Sequence, residues 1–81
     1  MSVIKYPLAT EKGIRAIESE NVIVFVVEKS ATKIAIKADI EKMLNAKVAS
    51  VNTHNLPDGE KRAYVKFKVP AIDIATRLGM I

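Results

Sequence analysis

Four side chains in the C-terminal half recur at every second position: Arg62, Tyr64, Lys66 and Lys68. On an extended strand that period puts all four on one face, and at about 3.3 Å per residue they span roughly 20 Å. Cations interleaved with an aromatic ring are equipped to meet a nucleic acid. The charges neutralise phosphates and displace condensed counterions, and the ring stacks on a base or ribose. An outward sheet face kept soluble by lysines, with Tyr64 packed under a helix, shows the same pattern. The residues alone leave both readings open. They do not match the sheet readers of single-stranded RNA, which carry several aromatics on their central strands.

The rest of the chemical inventory is sparse. His54 is the single histidine and there are no cysteines. A histidine-rich metal site, a thiolate site and a disulfide framework are therefore excluded. A reducing cytoplasm is the default compartment for such a chain. Gly13, Gly59 and Gly79 stand apart and build no phosphate-cradling loop. Asp39 and Glu41 are two apart on an expected helix and point in different directions, as solvated charges do. His54 reads as a surface residue of a hairpin. Binding is favoured over catalysis, with no cofactor and no metal expected.

The elements that must position the strip follow from periodicity. Val3 to Tyr6 is a possible short strand halted by Pro7, and Thr10 is placed to cap a helix running to about Ser19. Glu11 falls in its first turn, where the helix dipole favours an acid. Gly13 weakens that helix by up to about 1 kcal/mol relative to alanine, so the helix depends on packing. Val22 to Val27 is apolar at every position, as a strand covered on both faces is. Thr32 caps a second helix whose Ile36, Ile40, Met43 and Leu44 share one face, with Asn45 as its left-handed terminator. Strands over Lys47 to Leu56 and Lys61 to Val69 are joined by the turn Pro57-Asp58-Gly59. A last helix, about Ala71 to Leu78, docks Ile74 and Leu78 before Gly79. The order β, α, β, α, β, β, α makes an α+β domain with a mostly antiparallel sheet.

With 81 residues the chain is read as one domain, 1–81, near the lower end of self-sufficient folding. Its apolar content of 49% is that of a globular chain rather than a disordered tail. The longest apolar run, Val22 to Val27, is far short of the roughly 18 residues of a membrane span. The opening residues lack the basic-then-apolar layout of a signal peptide. The net charge is +4, and it is unevenly placed. Through residue 46 there are seven Lys/Arg against six Asp/Glu; from residue 47 there are six against three, so the excess sits with the strip.

Six stretches, in order, resemble the ribosomal protein L23 family, with the spacing of its archaeal members. They are Tyr6-Pro7-Leu8-Ala9-Thr10-Glu11-Lys12, Asn21 to Val26 with Phe25, and Ala31-Thr32-Lys33 with Ile36-Lys37 and Ile40-Glu41. The others are Val48 to Val51-Asn52-Thr53, Gly59-Glu60-Lys61-Arg62-Ala63-Tyr64-Val65-Lys66, and Arg77-Leu78-Gly79-Met80-Ile81. Together they cover nearly the whole chain.

The resemblance implies a three-layer α/β/α domain with a four-stranded antiparallel sheet. It also implies a place in the large ribosomal subunit in the cytoplasm. There the family binds large-subunit (23S-type) rRNA at the peptide exit tunnel, beside ribosomal protein L29. Under this resemblance Lys61, Arg62, Tyr64, Lys66 and Lys68 become expected rRNA contacts, together with Asn52 and Thr53. Lys5, Tyr6, Lys12, Lys33 and Lys37 follow as further expected contacts. Glu11 matches the family's acidic position at the platform where the signal recognition particle and nascent-chain chaperones dock. The long hairpin that bacterial members send into the tunnel has no counterpart here, because the turn is only Leu56 to Glu60. The role implied is architectural: cations neutralise phosphates and the folded domain fixes the shape of an rRNA junction. The competing reading is a basic adapter that binds acidic proteins without RNA.

Overall fold

The structure is a computed structural model that describes residues 3–81. Seven elements follow one another: β1 (Ile4–Pro7), α1 (Glu11–Glu20), β2 (Val22–Val27), α2 (Lys33–Leu44), β3 (Val48–Asn55), β4 (Lys61–Phe67) and α3 (Ala71–Arg77). The strands form one sheet in the order β1-β2-β4-β3, and each neighbouring pair is antiparallel. The all-apolar β2 is an inner strand, as a run without polar alternation requires.

Register decides what each face carries. Ile23, Phe25 and Val27 stand opposite Val65, Ala63 and Lys61, and all but Lys61 are buried. On this face α2 buries Ile36, Ile40 and Leu44, α3 adds Ala71, Ile74 and Ala75, and α1 adds Ile17. Phe25, Ile23, Ile36 and Ile40 are the largest fully buried side chains, each contributing about 1.5–3 kcal/mol by burial. The opposite face carries Val24, Arg62 and Tyr64, and there α1 borders the sheet through Gly13 and Ala16. A four-stranded antiparallel sheet with three helices packed on it is the expected α+β architecture.

The helix ends are capped as their sequences predict. Thr10 Oγ1 accepts from the Gly13 N–H at 3.2 Å, and Thr32 Oγ1 from the Ala35 N–H at 3.1 Å. Asn45 takes the left-handed conformation at φ 50°. So does Asn21 at φ 59°, closing α1 one residue beyond the expected Ser19 end. The hairpin turn closes with Leu56 N–H on the Glu60 carbonyl at 2.8 Å and Gly59 at φ 92°.

Three expectations change. Met43 is half exposed instead of buried. The buried row follows i+4 steps, each rotating about 40° round the axis, which leaves Met43 about 100° from Leu44. Strand β4 ends at Phe67, so Lys68 and Val69 lie outside it. The cause is Asn21, whose Nδ2 donates to both the Phe67 and Val69 carbonyls at 2.9 Å. Two carbonyls two residues apart on an extended chain are parallel and about 6.6 Å apart, too far for one nitrogen to bond both, so reaching one amide bends the chain. Finally, Gly13 is not merely a tolerated weak point: it is buried, and a Cβ there would run into the Leu8 carbonyl.

Candidate nucleic-acid interface

Strand β4 sits between β2 and β3, so its outward side chains gain neighbours from both. Arg62 is opposite Val26 and His54, Tyr64 opposite Val24 and Asn52, and Lys66 opposite Val22 and Ser50. Tyr6 on β1 pairs with Val26 and extends the Arg62 row. The open face therefore presents Tyr6, Asn52, His54, Arg62, Tyr64, Lys66 and Ser50. Of these, Arg62 and Tyr64 are half-buried and the others exposed.

Arg62 is held in place. Its Nε donates to Glu60 Oε2 at 2.8 Å, with the two side chains only 31% and 27% exposed. That carboxylate raises the guanidinium pKa through its hydrogen bond. Burial opposes the rise, and the Glu60 charge and a hydrogen bond with Tyr64 add to it. The hairpin turn supplies the carboxylate: Glu60 follows Gly59, and its N–H donates to Asp58 Oδ1 at 2.9 Å. Arg62 is thus oriented from both sides, by Glu60 at Nε and by its hydrogen bond with Tyr64.

Sheet geometry separates residues that adjoin in sequence. Lys61 and Arg62 point to opposite faces, and the Lys61 ammonium donates to the Ala31 carbonyl at 2.6 Å, joining β4 to the start of α2. Asn52 lies on the open face, whereas Thr53 pairs with Ala63 on the helix-covered side. Lys5 is exposed and lines a hollow of about 220 Å³ with Tyr6, Lys29, Gly59 and Lys61. Lys33 and Lys37 are exposed on α2, across the sheet from Tyr64. Glu11 and Lys12 are exposed at the start of α1. Glu11 pairs with Arg15 at 3.3 Å, its side chain 88% exposed.

Lys68 joins a second group. Its N–H donates to the Lys47 carbonyl at 3.0 Å, which sets two lysines side by side at the sheet edge. Glu41 of α2 lies between them and Lys37. Its carboxylate accepts from the Val48 N–H at 3.0 Å, and this bond holds its pKa below the usual value. Burial opposes the shift, and Lys37, Lys47 and Lys68 reinforce it. Lys47 is the residue that sequence reasoning overlooked. It precedes β3 and shares no period with the β4 strip, so only the pairing of β3 with β4 reveals it. Ser50 was legible, being in phase with Asn52 and His54 along β3.

Among the described residues no group of three or more His, Asp or Glu is placed to hold a metal ion. A cleft of about 430 Å³ runs between α1 and the open face, lined by Leu8, Gly13, Ala16, Val24, Arg62 and Tyr64 among others.

The chain is also similar in sequence to known proteins. The family model described as ribosomal protein L23 matches residues 2–74. The large ribosomal subunit protein uL23 of Methanococcus vannielii is 48% identical over 80 residues, covering 96% of this chain and 93% of that protein.

Proposed function

The chain belongs to the ribosomal protein L23 family, structural proteins of the large ribosomal subunit, and from that premise we propose that residues 1–81 form one domain that binds large-subunit rRNA near the peptide exit. The observation that carries the reading is the alignment of Arg62, Tyr64 and Lys66 on the uncovered sheet face, flanked by Asn52 and His54. A flat face with two cations, an aromatic and short polar side chains meets phosphates and stacks on sugars or bases. It has few groups that could read base edges in sequence, so shape supplies the specificity.

Tyr6 and Lys12 extend this surface along β1 and α1. The edge group of Lys37, Lys47 and Lys68 provides a second set of phosphate contacts, Lys5 lies at the margin, and Lys33, Lys61 and Thr53, on the other side of the sheet, would contact rRNA separately. The part is architectural and not catalytic. Binding also stabilises a small domain by mass action, so the free protein is expected to melt at a lower temperature than its rRNA complex.

Docking of targeting factors and nascent-chain chaperones belongs to the same proposal. Glu11 supports it: the carboxylate stands clear of the surface, and its exposed partner Arg15 costs little to displace. Ribosomal protein L29 is the proposed neighbour in the subunit.

Salt-titrated binding to a large-subunit rRNA transcript tests the reading, comparing the wild type with Lys66→Ala and Lys68→Ala singly and together. Each loss of a phosphate contact flattens the slope of log K against log salt by roughly one unit. A double variant with the wild-type slope moves the interface off both groups. Absence of specific binding by the wild type favours the RNA-independent adapter.

A further inference from the structure

The cleft beside the strip differs in character from the strip itself. Val24, buried to 4% exposure, and Leu8 form its floor, and Tyr64 stands at the sheet side. From α1 it is lined by Gly13, Ala16 and the charged Glu11, Lys12 and Glu20, so no large apolar side chain of the helix lines it. Its charged rim is balanced, with Glu11 and Glu20 against Lys12 and Arg62. Glu11 and Arg62 are already paired with Arg15 and Glu60.

A balanced rim above an apolar floor is a poor phosphate site. It suits a neutral, flat ring whose edge carries donors and acceptors, and about 430 Å³ gives room for one base with its sugar. The cleft is also continuous with the strip, because Arg62 and Tyr64 belong to both. Resting on the rRNA reading, we propose that the cleft receives a single unstacked nucleobase, which lies against Tyr64 while its flanking phosphates pass over Lys66 and Lys12. Extruding one base from a loop or bulge and stacking it on an aromatic is how a protein fixes register on RNA without reading a helix. The close approach of α1 to Leu8 at Gly13 holds the far wall at a set distance from the ring.

The test uses the whole chain and a large-subunit rRNA transcript, with affinity measured across a salt series and each variant's fold checked by circular dichroism and melting. Ala16→Phe fills the cleft from the helix side and leaves the cations in place. Tyr64→Phe keeps the stacking ring and Tyr64→Ala removes it. The proposal expects Ala16→Phe and Tyr64→Ala to lose about tenfold or more in affinity, Tyr64→Phe to keep it, and all three to keep the wild-type salt slope. Should Ala16→Phe fail to fold, the Tyr64 pair decides. Wild-type affinity in Tyr64→Ala or in a folded Ala16→Phe, with Lys66→Ala still flattening the slope, overturns the base site. That outcome leaves the rRNA reading standing and the cleft free for a protein side chain. Absence of salt-dependent binding by the wild type removes both.

Discussion

The side-chain oxygen of Asn21 accepts a hydrogen bond from the backbone N–H of Ala71 at 2.6 Å, across 50 residues of sequence. The same amide donates to the Phe67 and Val69 carbonyls, and the Asn21 N–H reaches back to the Ala16 carbonyl. One residue thus ends α1, turns the chain into β2, bends it out of β4 and caps α3. Pro70, the residue at the N-cap position, makes no side-chain cap of its own. Asparagine suits the place because it tolerates the left-handed backbone and carries both donor and acceptor.

Replacing Asn21 therefore separates two costs. Asn21→Ala is expected to destabilise the domain by about 3 kcal/mol, combining the cap, the two carbonyl bonds and the strained backbone. Asn21→Gly relieves the backbone and should recover roughly 1 kcal/mol of that loss. Urea unfolding of the two variants and the wild type measures both; equal stabilities for Ala and Gly would remove the left-handed backbone from the account.

Gly13 reverses the usual helix rule. Alanine is the better helix former by about 1 kcal/mol, yet its methyl would strike the Leu8 carbonyl. Gly13→Ala is expected to lower stability by about 1–3 kcal/mol, as overpacking does. A raised melting temperature would mean that α1 can move off Leu8 at little cost.

Glu41 makes stability depend on pH, and the direction follows from its lowered pKa. The folded value lies below the unfolded value, so its contribution is fully present above the ordinary glutamate pKa of 4.5 and is lost as pH falls through the folded one. Glu41→Gln keeps an oxygen for the Val48 N–H but cannot titrate. Between about pH 6 and pH 3 the melting temperature of the wild type should fall further than that of the variant. Parallel curves would show that Val48 and the three lysines do not sense the charge.

Glu60 holds Arg62 at 2.8 Å and stands on the same side as the proposed phosphate path. Glu60→Gln removes a negative charge from that path while keeping an oxygen that can accept from the Arg62 Nε. Affinity for the large-subunit rRNA transcript is expected to rise by about two- to fivefold at low salt, with the difference shrinking as salt increases. Weaker binding by the variant would instead make Glu60 an orienting residue that Arg62 cannot do without.

Local order was legible without the fold. Thr10 and Thr32 announce helix starts, Asn45 a helix end and Pro57-Asp58-Gly59 a turn, because each acts through bonds to residues a few positions away. The alternation of Ala63, Val65 and Phe67 with Arg62, Tyr64 and Lys66 likewise states which side of β4 is buried, since strand period is a property of the backbone. The family was legible too, from six short stretches in the right order.

Composition of the faces was not legible in that way. The expected contacts paired sequence neighbours, Lys61 with Arg62 and Asn52 with Thr53, which a pleated sheet sends to opposite sides. Lys68 left the strip because Asn21, remote in sequence, bends the chain after Phe67; it then met Lys47 through the β3–β4 pairing. The cleft beside Tyr64 exists only because Gly13 and Ala16 of α1 border the open face. Local sequence sets which conformation each segment prefers and which of its sides is apolar, because those depend on near neighbours. The tertiary structure alone decides which distant charges share a surface, because register, strand order and helix placement are settled by how the whole core packs.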